Sequence, residues 1–421
     1  VCDVLVAGGG VAGLSAALAA AEAGADVELV EAGEALGGAA LLSNGSLWTF
    51  DDVDAYLAHC PGADPALARR LAGGFASTVQ WLRDRHVQVD DRGPSLYGAD
   101  RSYQLAPPQL VRTLTGAFAE RGLITTRERV RDFEGTPDGP GVVVTTDTGR
   151  EIQAAVVILA TGGIHAEPAM LREAGLAHYV GLPLRNRPMS GDGARIALAH
   201  GGSLAGTPDG VYGHLVPTGL GEADVAASLA AQYQSYGGVL VGATGELLSG
   251  PGIDDHHLNR LVTRQPDRRA VLYFDSTAAP PRILSAVGGT DWAADRTAFA
   301  LAHGRRAAAS DSLADLLEQT AAWIDGTVSE PARAAIADTL GAAPFTAIEV
   351  EPSMTHTGTG VRVDGALHAA GLRDVVVAGA DIGDAFGDGY GGGLAFALTT
   401  GIAAGTEAAA LAASALPTHA S

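Results

Sequence analysis

Between Val4 and Gly33 the chain reads VLVAGGGVAGLSAALAAAEAGADVELVEAG. An apolar run closes on three glycines, and a second apolar run closes on a lone acid. A strand over Val4–Ala7 is expected to end at Gly8. A helix from about Ala12 to Ala23 and a strand over Asp26–Val30 should follow. Gly8, Gly10 and Gly13 fit G-x-G-x-x-G, and Glu31 stands 18 residues past Gly13. Each part has a physical task. Gly8 permits a tight turn, Gly10 lets backbone approach a pyrophosphate, and Gly13 lets helix and strand pack closely. The helix N-terminus offers N–H groups and positive dipole to phosphate. Glu31 can accept hydrogen bonds from a ribose diol. A glycine-rich turn alone would be weak ground. Here strand, helix, spacing and acid agree, so dinucleotide binding is the expectation.

The chain has 421 residues, which points to two domains or one large domain with an insertion. Its 47% apolar content is ample for a packed core. A net charge of −21 and the lack of a dense Lys/Arg stripe argue against nucleic acid or an anionic membrane as partner. With only Cys2 and Cys60, and no C-x-x-C, neither a disulfide scaffold nor a thiolate metal site is supported, and no metal is expected. No 18-residue apolar run reads as a membrane span. The Ala-rich stretches Leu14–Ala25 and Gly401–Leu416 read as buried or amphipathic helices. A soluble, cytoplasmic protein is expected. No secretory signal is visible, although the chain begins almost on its first strand and so leaves a removed leader open.

Residues 33–48, GEALGGAALLSNGSLW, are small enough to run close to a ligand. Residues 64–86 and 107–122 read as helices. Residues 141–163 read as a hairpin and then a buried strand ending Ala-Thr-Gly-Gly. Residues 189–202, MSGDGARIALAHGG, read as a turn entering a helix. From about 206 to 342 the texture changes to irregular loops with scattered Tyr and His, and helices near 294–307 and 311–325. Strand patterning returns in GVRVDG and LRDVVVAGADIGDAF, and GGGLAFALTTGIAAGTEAAALA closes the chain as a long helix. The expected architecture is α/β: a nucleotide-binding domain (1–205 and 343–421) interrupted by a cap domain (206–342).

Taken in order, these motifs resemble the fumarate reductase/succinate dehydrogenase flavoprotein superfamily, in its soluble branch that includes 3-ketosteroid dehydrogenases. GGGVAGLSAA with Glu31 resembles the FAD fingerprint, and LGGAALLSNGSLW the segment lining pyrophosphate and flavin. VVILATGG resembles the Ala-Thr-Gly-Gly strand, MSGDGARIALAHGG the Thr-Gly-Asp-Gly turn, and PSMTHTGTGVRVD the His-Thr-x-Gly-Gly stretch. VVVAGADIGDAF resembles Ala-Ala-Gly-Glu with Asp381 in place of Glu, and GGGLAFALTTGIAAG the closing Gly-Gly-Asn-x-Leu helix. The resemblance implies FAD as cofactor and an α/β fold in which a Rossmann-like FAD-binding domain is interrupted by an α+β cap (substrate) domain. It implies FAD contacts at Gly8, Gly10, Val11, Ala12, Gly13, Glu31, Ala32, Gly37, Gly38, Ala39, Ser43, Asn44, Gly45, Val130, Ala160, Thr161, Gly162, Asp192, Gly379, Asp381, Gly392, Gly393 and Leu394. The quinol-linked members attach FAD through a His near the segment matching 38–45. That segment has no His here, which implies non-covalent FAD. The closing helix would point the N–H groups near Gly392–Leu394 at the flavin pyrimidine edge, where they favour negative charge.

The dicarboxylate reductases of this family grip carboxylates with arginines and histidines. Counted back ungapped from Gly401-x-x-x-Gly405, one such arginine falls on Asp388. The His of a family His-Pro-Thr falls on Val216, and a third position falls near Asp255 or His256. Only His356 keeps its type. A carboxylate beside Asp388 would be repelled, so fumarate and succinate are not expected as substrates. A flavin desaturase needs a hydride acceptor and a base. Asp388, Tyr390 and His356 are the candidate catalytic residues, against readings as a loop acid, a pocket-shaping tyrosine and a structural histidine. The cap adds Tyr212, His214, Tyr233, Tyr236, His256 and His257. Asp254, Asp255, His256 and His257 read as a solvated loop rather than a metal site. The basic clusters 264–269 and 304–312 read as solvated faces. The expected activity is FAD-dependent desaturation or C=C reduction beside an activating group, on a neutral or cationic small molecule. The electron acceptor or donor is open. A flavin monooxygenase and a redox-neutral flavoprotein are the rival readings.

Overall fold

The computed structural model describes residues 1–95, 97–136, 140–186, 189–220, 230–278 and 295–415. The opening stretch folds as strand β1 (Cys2–Ala7), helix α1 (Val11–Glu22) and strand β2 (Val27–Glu31). Val4, Leu5, Val6 and Leu29 are fully buried, which is why both strands read as unbroken apolar runs. β1 pairs in parallel with β2 on one side and with Glu151–Leu159 on the other, Val4 facing Val27 and Val156. Leu123–Thr126 extends the sheet beyond β2, again in parallel.

The nine-residue strand Glu151–Leu159 is shared along its far edge. Its first half pairs antiparallel with Val142–Thr146, which in turn pairs with Val130–Gly135. Its second half pairs in parallel with Val375–Val377. The hairpin and the buried strand read from residues 141–163 are therefore one continuous structure. The closing helix, Gly393–Ala415, packs along α1. A Cβ at Gly401 would stand 2.4 Å from Ala12 O, and one at Gly405 2.1 Å from Ala16 O. Backbone meets backbone at that seam, so glycine is required there. This helix is long and apolar enough to cross a membrane, with a mean hydropathy of 1.4, which corrects the sequence reading of no such run. Just over half of that window, 56%, is buried within the protein.

The chain divides into two compact units. The first comprises Val1–Gly175, Arg187–Gly210 and His356–Ser421; the second comprises Leu176–Asn186 and Val211–Thr355. The boundary expected at 342/343 lies instead after Thr355. The reason is strand Phe345–Pro352, which is central to the second unit's antiparallel sheet. It pairs with Leu215–Pro217, Ala270–Asp275 and Ala307–Ser310. Residues 176–186 join this unit through the Arg185 N–H bond to Met354 O, 2.8 Å. An α/β unit is thus interrupted by an α+β one.

The basic clusters are solvated faces only in part: Arg264 and Arg305 are exposed, whereas Arg269 and Arg306 turn inward. Arg269 and Arg306 both reach Glu349 Oε1, at 3.0 and 2.7 Å, and Glu349 is buried. The two arginines compensate a carboxylate that the sheet would otherwise strand.

Candidate cofactor cradle and active site

The glycine turn after β1 is built by backbone contacts. Gly8 has φ +107°, and a Cβ there would stand 2.2 Å from Ala160 O. A Cβ at Gly13 would stand 1.8 Å from Gly8 O. Gly10 differs: no atom of the described residues lies within 4 Å of where its Cβ would be. It precedes α1 and offers no side-chain cap. The first helical bond is Leu14 N–H to Gly10 O, 2.8 Å, so Val11, Ala12 and Gly13 present N–H groups without intrahelical acceptors. That is an open, positively polarised cradle, suited to the pyrophosphate of FAD.

Glu31 ends β2 with its carboxylate turned over this cradle. Gly9 N–H donates to Oε2 at 2.7 Å and Gly33 N–H to Oε1 at 2.6 Å. Each oxygen retains a lone pair for a ligand hydroxyl. Glu31→Ala is therefore expected to lower FAD retention through gel filtration while the fold survives. Equal FAD content in the variant would remove Glu31 from the cradle.

Ala32 follows at the surface. Gly37 and Gly38, at φ +109° and +52°, bring the next segment back to the turn, with Gly37 N–H on Gly9 O at 2.8 Å. Ala39 lies half-buried on the short helix Gly38–Leu42. Ser43 Oγ accepts from Gly45 N–H and Asn44 Oδ1 from Ser46 N–H, so both side chains shape their own turn. Ala160 N–H joins Ala7 O at 2.8 Å.

Other residues expected at the cofactor are occupied by protein partners. Asp192 opens helix Asp192–Ala199, and its carboxylate is paired with Arg129 and, at 3.5 Å, Arg195. Val130, beside Arg129, is buried at a strand start. Gly379 donates to Thr400 Oγ1 at 3.0 Å. Asp381, 1% exposed, accepts from the N–H groups of Thr161 and Gly162 and from the Thr161 hydroxyl. Thr161 Oγ1 also accepts from Gly193 N–H at 2.8 Å. Asp381 thus ties together three chain segments far apart in sequence.

Burial pushes Asp381 up to about 7, against the pull of its bonds from Thr161 and Gly162. A carboxyl raised in the folded state keeps its proton between about pH 4 and 7, where the unfolded chain has released it. The stability penalty is absent below pH 4 and full above 7. Asp381→Asn removes this titration and keeps an acceptor. The wild type is therefore expected to lose melting temperature relative to the variant as pH rises from 4.5 to 7.5. Parallel melting curves would show that Asp381 does not titrate there.

At the start of the closing helix, two of the three catalytic candidates, Tyr390 and His356, meet. Gly392, at φ +93°, precedes the closing helix, and Tyr390 Oη accepts from Gly393 N–H at 2.9 Å. The place a Gly393 Cβ would take is 3.0 Å from Tyr390 Oη and 3.5 Å from His356 Nε2. Leu394 and Ala395 keep N–H groups without intrahelical acceptors. Around Tyr390 stand Trp48, Tyr97, Phe386 and His356, with ring centroids 5.5–6.2 Å away. Trp48 and Tyr97 stack at 4.9 Å. Sequence reasoning missed this aromatic wall, because its members are scattered from 48 to 390. Asp388 is half-buried in the same loop, its N–H held by Pro61 O at 2.8 Å.

In the second unit, His214 and Asp255 share a buried hydrogen bond. Burial lowers His214 while Asp255 works to raise it. Tyr212 and Tyr233 flank His214 at 4.8 and 4.9 Å, and the Arg296 guanidinium lies over Tyr233. Val216 lies buried on the strand two residues beyond, and Tyr236 is 37% exposed. Asp254, Asp255, His256 and His257 do not form a solvated loop. They begin helix Asp255–Thr263, and His256 is fully buried. Burial and the Asp255 charge push Asp254 up to about 6.

Residues 3–380 match the FAD binding domain family. A vinyl phenol reductase of Lactiplantibacillus plantarum is 30% identical over 239 residues, covering 49% of this chain and 47% of that one. The match thus spans less than half of that relative's length. A cytochrome-type fumarate reductase of Shewanella frigidimarina is 26% identical over 90% of this chain and 70% of its own. Among solved structures, a 3-ketosteroid-Δ4-(5α)-dehydrogenase of Rhodococcus jostii superposes with TM-score 0.71 at 20% identity, over 97% of this chain and 96% of its own.

Proposed function

The chain belongs to the FAD binding domain family, and from that membership we propose that it is an FAD-dependent dehydrogenase or reductase acting on a C=C or CH–CH bond beside an activating group. FAD, when bound, supplies the hydride acceptor or donor at N5; the chain supplies position, charge and a proton. The observation that carries the reading is the convergence of Tyr390 Oη and His356 Nε2 on Gly393, at the N-terminus of the closing helix. Tyr390 is aimed by its bond to the helix, its hydroxyl oxygen accepting from Gly393 N–H at 2.9 Å. A tyrosine hydroxyl so placed can polarise a substrate carbonyl or pass a proton. The helix N-terminus favours negative charge developing beside it.

Asp388 supports a neutral or cationic substrate. A carboxylate near it gains repulsion where an arginine would have bound it. The vinyl phenol reductase relative is named for an alkene joined to a phenol ring. The stacked Trp48–Tyr97 pair and Tyr390 form a wall that suits such a planar ring. We therefore read the substrate as an aryl-conjugated alkene or its saturated counterpart. FAD is held non-covalently, since residues 38–45 contain no His; acid or heat should release it intact.

The test is anaerobic turnover with a reduced viologen dye. Dye oxidation by 4-vinylphenol or a related styrene, and not by fumarate, is the expected result. Comparable kcat/KM for fumarate would overturn the substrate reading. Oxygen uptake driven by NAD(P)H would point to a monooxygenase instead. A flavin that neither bleaches nor turns over with any of these would mark a redox-neutral flavoprotein.

A further inference from the structure

We propose that Asp254, His256 and His257 form a binding site for a divalent transition-metal ion, with Zn²⁺ the best chemical match. One donor atom from each of these three residues lies within 4.8 Å of the others, the one such group of His, Cys, Asp and Glu among the described residues. Asp254 Oδ2 is 4.0 Å from His257 Nδ1, and the two imidazole rings are 4.2 Å apart.

The local fold explains why consecutive residues converge here. Asp254 is the cap position of helix Asp255–Thr263, so Asp254 and His257 stand three apart on one face. An aspartate at that position ordinarily turns inward to accept a backbone N–H of the first turn. Asp254 makes no such bond. Its carboxylate lies toward His257 instead. The side chain is thereby held beside two imidazoles.

The donor set selects the ion. Two imidazole nitrogens and one carboxylate suit Zn²⁺ and its neighbours, whereas Mg²⁺ and Ca²⁺ require mostly oxygen. Bonds of about 2.0–2.2 Å would need the three side chains to close by roughly an ångström, within reach of rotation about their side-chain bonds. Three protein ligands leave one position for water. Asp255 Oδ1 lies 4.0 Å from His256 Nδ1, while its Oδ2 is bonded to His214. At that distance the Asp255 charge lies beside the His256 ring without a hydrogen bond to it. His256 is buried, but Asp254 is half-buried and His257 exposed, which gives the ion a way in.

The experiment uses tag-free, FAD-loaded protein stripped with EDTA and titrated with Co²⁺, then with Zn²⁺ in competition. One equivalent of Co²⁺ should bind with the intense visible d–d bands of a four-coordinate site, and Zn²⁺ should displace it. His257→Ala and Asp254→Asn should each weaken binding at least about tenfold at unchanged FAD content. His257 is exposed, so its variant tests the site without disturbing the core. No saturable binding, or the same affinity in both variants, would overturn the assignment. These readouts do not depend on turnover, so they stand apart from the proposed redox activity.

Discussion

Gly13→Ala is expected to give a chain that folds poorly and purifies without FAD. Its Cβ would stand 1.8 Å from Gly8 O, a backbone atom that cannot step aside. Gly8 is pinned on both sides, by its N–H bond to Val30 O at 2.8 Å and by Ala160 O behind it. Ordinary overpacking costs about 1–3 kcal/mol, and more where nothing relaxes. Domains have only about 5–15 kcal/mol to lose. A fall in melting temperature of roughly 5 °C or more is expected, with FAD-to-protein absorbance near zero. Gly10→Ala is the informative partner. Its Cβ would meet no described atom within 4 Å, so the melting temperature of the apoprotein should hold while FAD content falls. A Gly13→Ala protein with wild-type stability and full FAD would contradict this account of the turn.

Asp388→Asn should lower kcat about 10²-fold on the true substrate, in line with typical acid–base contributions, while FAD content stays unchanged. The loop holding Asp388 packs closely against residues 59–63. Added Cβ atoms at Gly387 and Gly389 would stand 2.2 Å from Pro61 O and His59 O, so both flanking residues are clamped to the same segment. A carboxylate presented from such a loop can set substrate charge and take a proton. Loss of base function appears in kcat, whereas loss of charge selection alone appears as a raised KM. Normal kcat and KM in the variant would transfer the acid–base role to Tyr390, with Tyr390→Phe as the next substitution to measure.

Much of the first unit was legible in the chain. The β1–α1–β2 order, the glycine spacing, Glu31 and the long closing helix all follow from short-range pattern. An apolar run must be buried, and a glycine at fixed spacing marks a turn whose partners lie close in sequence. The bond from Gly9 to Glu31 spans only 22 residues. The second unit was read less well. Its boundary was misplaced because strand Phe345–Pro352 reads like any buried strand, and pattern alone does not say which sheet it joins.

What the tertiary structure decided are the pairings between distant polar groups. Asp381 meets Thr161 across 220 residues, and His214 meets Asp255 across 41. Arg269 and Arg306 meet on Glu349, and His356 joins Tyr390 over Gly393. Hydrophobic periodicity reports which face of an element is buried. It carries no information about which buried charge another buried charge will find. That depends on the register between strands and on where each loop returns, and only the packed chain determines both.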